Sequence, residues 1–260
     1  MLTEHTVAEV ALAAGIDAPA HFFDVIGSTN DVLVRLAEQG APEWTLVVAG
    51  HQDSGRGRLG RSWESLPGSS LLMSLLVRPQ LSPADAALVT LGAGACMALS
   101  CAVACGVEVK CRWPNDLMVG DRKLGGVLVE ARVEGSRLQH AVIGIGLNMK
   151  HGVRDFPPEL AETATSIAIE GGRPEMAQLL YDFLVRVRRF CDPSDPRFPS
   201  TVLDTYRGVC DTIGRPVKAT TMTGDAVEGT AIGIGDSGTL LVETPAAVEE
   251  IGFGEVAHLR

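Results

Sequence analysis

The chain has 260 residues, of which 46% are hydrophobic, 21% charged and 5% aromatic, and its formal net charge is −10. That length and balance suffice for one large domain or two smaller ones built on an aliphatic core. The negative charge argues against bulk, sequence-independent binding of nucleic acid, which needs a basic face, but it leaves room for a local basic pocket.

In chain order, residues 1–20 read as a short helix and a loop ending at Pro19. The opening MLTEHTVAEV is acidic and lacks the basic-then-apolar order of a signal peptide, and no apolar run is read as approaching the ~20 residues of a membrane span. FFDVIGSTN runs from a strand into a helix, with Ser28 and Asp31 spaced as a capping box before the stripe Val32, Leu33, Leu36 and Ala37. WTLVVAG (44–50) is a strand, and SSLLMSLLV (69–77) is a second, apolar enough to be buried on both faces. Residues 82–105 form a long helix, hydrophobic nearly all round. VEVKCRW (107–113) alternates as a strand, residues 117–133 read as two short strands around a Gly-Asp turn, and LQHAVIGIGLN (138–148) is another strand. A proline-bearing loop (151–160) and an amphipathic helix (176–190) follow. The last fifty residues are glycine-rich, with short β-prone runs and no helical stripe. A domain boundary is therefore expected near 208, between a mixed sheet flanked by helices (1–208) and an all-β tail (209–260), an α+β chain.

Six cysteines (96, 101, 105, 111, 191 and 210) make no C-x-x-C pair and read as reduced, small apolar side chains. The six histidines show no metal-ligand spacing.

Gly55 to Gly60 spells G-x-G-x-x-G. A dinucleotide loop needs a helix after the third glycine, and here RSWESLPGSS follows, with Pro67-Gly68 stopping any helix; no G-K-[ST] of a P-loop follows either. Instead Arg56, Arg58 and Arg61 alternate with glycines. Glycine lets backbone approach a ligand closely, and arginine supplies permanent, forked donors for carboxylate or phosphate. In so acidic a chain the loop is suited to wrap a small anion. A second group lies in RWPNDLMVGDRKLGGVLVE (112–130): Asn115 and Asp116 at a strand end, Lys123 past a turn, and Gly125-Gly126 allowing close approach. Asp116 alone is equally an ordinary turn residue, or a ligand for magnesium that also bears substrate phosphates. GSTN (27–30) caps a helix whose N-terminus can also take a polar ligand group.

Taken together, STN (28–30), QDSGRGRLGRSW (52–63), RWPND (112–116), KLGGVLVE (123–130) and GIGLN (144–148) resemble, in order and spacing, the motifs of the biotin protein ligases. ATSI (164–167) and the closing GTAIGIGDSGTLLVE and FGEVAHLR extend the resemblance over about residues 21–260. One departure is Arg112, which keeps the charge but not the point-donor geometry of the lysine usual before W-P-N-D. The resemblance implies a class II synthetase-like biotin/lipoate ligase catalytic domain with a small C-terminal SH3-like β-barrel. It implies the ligase-only type, since twenty residues are too few for the N-terminal DNA-binding domain some members carry. It also implies the reaction: biotin and ATP give biotinyl-5′-AMP, from which biotin passes to a lysine of a carrier domain.

By the same resemblance, Arg58 and Lys123 are catalytic. Ser28, Thr29, Asn30, Gln52, Arg56, Gly57, Arg58, Lys123, Gly144 and Gly146 are expected around biotin. Arg58, Arg61, Trp63, Arg112, Asn115, Asp116 and Asn148 are expected around ATP or the adenylate, with Asp116 as a magnesium ligand. The implied partner is the biotin carboxyl carrier domain of acetyl-CoA or a related carboxylase, met in the cytoplasm by a monomer or homodimer, with no nucleic acid or membrane involved. A lipoate ligase or acyl transferase of the sister family, and a non-catalytic biotin sensor, stand as the alternatives.

Overall fold

The computed structural model describes residues 2–190, 197–220, 226–252 and 255–258. Cys191, Thr221, Phe253-Gly254 and the final Leu259-Arg260 lie outside them, and with them parts of the predicted tail strands.

A seven-stranded sheet organises the first four-fifths of the chain. Its strands are β1 (Ala20–Phe23), β2 (Leu46–Ala49), β3 (Ser70–Val77), β4 (Lys110–Arg112), β5 (Asp116–Val119), β6 (Arg122–Glu134) and β7 (Arg137–Asn148), in the order β1-β2-β3-β7-β6-β5-β4. β1 and β2 are parallel and every other pair is antiparallel, so the sheet is mixed, as expected. β3 is buried along its whole length.

Strand alternation sorts the residues by face. Val48, Met73, Leu75, Ile143 and Ile145 join the main core, over which lie α1 (Glu4–Ala13), α3 (Ala86–Cys105), α4 (Met176–Phe190) and α5 (Phe198–Val209). The alternate residues Val47, Leu76 and Val142 face α2 (Thr29–Glu38), which adds Leu33 and Ala37 to a smaller cluster. α2 covers only part of that second face.

Four expectations need correction. α3 is long and apolar enough to cross a membrane by length and composition, contrary to the sequence reading, yet 83% of its apolar window is buried as a core helix. It stops at Gly106, whose left-handed φ of 74° suits glycine at a helix end. The strand expected over 107–113 shrinks to Lys110–Arg112, and β6 runs to Glu134 rather than staying short. β6 extends because it pairs with β7 as a hairpin as far as Glu134↔Arg137, a partner its own sequence does not reveal. Finally, Ser28 stands at the α2 N-cap but makes no side-chain capping bond, so no capping box forms. The Gln52 carboxamide takes that role by accepting from the Thr29 N–H at 2.8 Å.

The tail forms a five-stranded antiparallel sheet, β11-β10-β9-β8-β12, from β8 (Pro216–Thr220), β9 (Ala226–Ile234), β10 (Leu240–Glu243), β11 (Val248–Ile251) and β12 (Glu255–His258). It is pinned to the larger sheet. The Trp113 indole N–H donates to Gly238 O at 2.9 Å, the Trp113 amide to Thr212 Oγ1 at 2.9 Å, and Arg207 to Ile234 O at 2.7 Å.

Candidate active site

Where α2 leaves the second face bare, successive strands present Ser74 on β3, Gly144 and Gly146 on β7, and Gly126 and Leu128 on β6. G-I-G spacing puts both β7 glycines on this face while Ile143, Ile145 and Leu147 enter the core. The missing side chains leave a cavity of about 180 Å³. Around it stand Ser28, Thr29 and Asn30 from the start of α2, Gln52, the loop residues Arg56, Gly57, Arg58, Arg61 and Trp63, and Asn115, Asp116 and Lys123 from β5 and β6.

Its floor is a hydrogen-bonded chain. Thr29 donates to Gln52 Oε1 from both its amide and its hydroxyl (2.8 and 2.9 Å). Ser74 Oγ lies 2.7 Å from Thr29 Oγ1 and 2.6 Å from Asn30 Oδ1. Asn30 Nδ2 donates to Glu130 Oε2 at 2.7 Å and to Leu128 O at 3.3 Å. The glycines are steric necessities here. A Cβ on Gly144 would sit 2.2 Å from Asn30 Oδ1, and one on Gly146 would sit 2.7 Å from Trp63 Cε2.

The roof is the Gly55–Trp63 loop, a small hairpin closed by Trp63 N–H to Gly55 O at 2.9 Å and Gly57 N–H to Arg61 O at 2.7 Å. Its tip turns through Leu59 and Gly60 at φ 56° and 74°, and Leu59 is 68% exposed. No helix follows Gly60, so this is not a dinucleotide loop. Arg56 Nη2 pairs with Asp31 at 2.5 Å and with Glu130 at 2.9 and 3.0 Å, which ties the loop to α2 and β6. Arg58 reaches inward and donates to Asn115 Oδ1 at 3.1 Å. Burial lowers its pKa, the Asp116 carboxylate opposes that and the Arg61 charge adds to it; a guanidinium nonetheless stays cationic at neutral pH.

Lys123 Nζ meets Asp116 Oδ1 at 2.5 Å across the β5–β6 turn. This pair, with Arg61, Ser62 and Trp63, also walls a second cavity of about 650 Å³ that holds Asn148, His151 and Phe156 on its far side. Asn148 is buried and donates to Thr165 O at 3.0 Å. His151 stacks on Phe156 with centroids 5.1 Å apart; burial lowers its pKa and Asp155 partly restores it.

Of the residues expected around ATP, Arg58 and Asn115 thus line the first cavity, Arg61, Trp63 and Asp116 line both, and Arg112 and Asn148 line the second. Arg112 is also held in ion pairs. Its guanidinium, 13% exposed, bonds Asp211 at 2.7 Å and Asp121 at 3.0 Å. Burial opposes its charge, but the hydrogen bonds it donates to these two carboxylates, with their charge, outweigh that and raise its pKa.

Asp116 is the one carboxylate among the described residues that line the first cavity, and no group of three metal-ligating side chains occurs among the described residues. A magnesium ion held chiefly by polyphosphate, with one protein carboxylate, fits that donor set; a cage made by the protein does not. Sequence reasoning gave Ser74 and Glu130 no role and Asp31 only that of a helix-capping residue. The available signal for Ser74 was that it interrupts an apolar run of β3.

Residues 22–148 match the Biotin/lipoate A/B protein ligase family, and residues 212–259 match the Biotin protein ligase C terminal domain. The chain is 35% identical to the bifunctional ligase/repressor BirA of Bacillus spizizenii, over 90% of its own length and 72% of that protein's. It belongs to the biotin protein ligase family. It is also 31% identical to the biotin–[acetyl-CoA-carboxylase] ligase of Mycobacterium tuberculosis, over 90% of this chain and 86% of that one. Its fold is that of the biotin protein ligase of Aquifex aeolicus, crystallised with biotin and ATP, at a TM-score of 0.74 and 24% identity over 93% and 99% of the two chains.

Proposed function

We propose that this family member activates biotin with ATP to biotinyl-5′-AMP and transfers the biotinyl group to a lysine of a carrier domain. In the first step the biotin carboxylate attacks the α-phosphorus and pyrophosphate leaves. In the second the lysine amine attacks the acyl carbon and AMP leaves. The observation that carries the reading is the convergence, in one pocket of an acidic chain, of a neutral hydrogen-bonding floor and a cationic roof. Ser28, Thr29 and Gln52 on the floor suit a ureido ring, with Trp63 as an apolar wall. Arg58, Arg61 and Lys123 suit the carboxylate and the phosphates, whose mutual repulsion they offset.

The second cavity, sharing Trp63 and Lys123 with the first, is the natural place for the nucleotide. Asn148 lines that cavity, and Asn115 stands on the wall of the first. Magnesium on the phosphates, helped by Asp116, would supply further charge neutralisation at the α-phosphorus. The Gly-Arg loop covers the anhydride and keeps water from it. The acceptor is the biotin carboxyl carrier domain of acetyl-CoA carboxylase or a related carboxylase, and the site of action is the cytoplasm.

Biotin-dependent exchange of labelled pyrophosphate into ATP tests the first step alone. Exchange that requires biotin and is not supported by lipoate is expected. Exchange with lipoate only would assign the chain to the lipoate branch, and none with either ligand would leave a biotin-binding protein without ligase chemistry.

A further inference from the structure

We propose that Glu130 is a positioning residue for this reaction, coupling the floor of the pocket to its roof. The inference rests on the ligase reading above. One Glu130 carboxylate accepts from both layers at once: Asn30 Nδ2 donates to Oε2 at 2.7 Å, and Arg56 Nη2 lies 2.9 Å from Oε2 and 3.0 Å from Oε1.

Each partner is fixed by what else it touches. A carboxylate only accepts, so it must face the Asn30 amide nitrogen, and Asn30 Oδ1 is then left for Ser74 at 2.6 Å. The absence of a Cβ at Gly144 leaves the room that this carboxamide occupies. Arg56, the first arginine of the loop, is shared between Glu130 and Asp31, so one cation faces two carboxylates. Glu130 therefore sets the orientation of a side chain lining the pocket and, with the same two oxygens, holds down the root of the loop that covers it. Order in the floor favours closure of the roof, and closure in turn fixes the floor.

The two functions separate by substitution. In Glu130→Gln the side-chain oxygen still accepts from Asn30, while the charge that holds Arg56 is gone. Glu130→Ala removes both. Asp31→Asn weakens the hold on Arg56 from outside the pocket. Biotin affinity by calorimetry, release of pre-formed biotinyl-AMP by rapid dilution, and the thermal midpoint would be measured for the parent and all three variants. Glu130→Gln is expected to keep biotin affinity within about twofold yet release adenylate roughly tenfold faster, the scale of one lost charge-assisted contact. Asp31→Asn should move release in the same direction with affinity unchanged, and Glu130→Ala should lose both. Release from Glu130→Gln at the parent's rate, or affinity and retention falling in equal proportion in that variant, would overturn the coupling while leaving the ligase reading intact. A parent that forms no adenylate would instead overturn the ligase reading itself, and this inference with it.

Discussion

Arg58 and Lys123 approach Asp116 from the loop and from β6, while Arg56 is held by Asp31 and Glu130. Arg58 is half-buried under the roof, where its charge is less screened than at the surface and acts more strongly on an anion. Arg58→Gly should leak biotinyl-AMP and label bystander lysines; mass spectrometry of an added inert protein would show it, and retention equal to the parent's would remove Arg58 from the roof. Lys123→Ala should cost at least ~2 kcal/mol in adenylation, roughly 30-fold in rate. Pyrophosphate exchange at the parent's rate would take Lys123 out of the first step. These residues were legible in sequence because charge alternates with glycine in a chain that is otherwise acidic. Ser74, Asp31 and Glu130 were not. Ser74 interrupts an apolar run, Asp31 reads as a helix cap and Glu130 closes a motif, but none of these marks names a partner, and Glu130 lies 100 residues from Asn30.

At the scale of elements, strand period places the site. Alternation on β7 turns Gly144 and Gly146 toward the pocket and their isoleucine and leucine neighbours into the core, so the G-I-G spacing is both a motif and a piece of sheet geometry. Gly144→Ala must push the Asn30 carboxamide aside. Biotin affinity should fall at least ~tenfold, about one hydrogen bond's worth, with a thermal midpoint close to the parent's. Unchanged affinity would mean that Asn30 does not shape the ligand's pocket. Most elements could be read from periodicity and breakers. The exceptions were set by long-range pairing: β6 is long because β7 lies beside it, and α2 is capped by Gln52 from another element rather than by its own Ser28.

At the scale of the molecule, the two sheets are joined by the segment after α5. Cys210 pairs with Cys111 as a β-bridge, Asp211 takes Arg112 and Arg215, and Thr212 takes the Trp113 amide. We propose the units 1–208 and 209–260 on either side of this seam. Arg112, expected at the nucleotide, lines the second cavity and is also one of the seam's pins, and its partner 99 residues away could not be foreseen. Arg112→Ala should destabilise the protein by about 2 kcal/mol, less than a fully orphaned buried charge because Arg215 still faces Asp211. The thermal midpoint should drop by roughly 4–8 °C; an unchanged midpoint would contradict the role. His140 and His151 are both buried with lowered pKa, so the unfolded chain binds more protons below the ordinary histidine range. Their contribution is present above that range and is lost as pH falls through it to their folded-state values. Replacing both with glutamine should flatten the fall of the thermal midpoint between about pH 7 and 5. The ligase assignment itself is tested most directly by weighing a carrier domain after incubation with this protein, biotin and Mg-ATP. A gain of one biotinyl group that requires both biotin and ATP is the predicted result. A carrier that stays unmodified, or that gains a lipoyl group when lipoate replaces biotin, would contradict it.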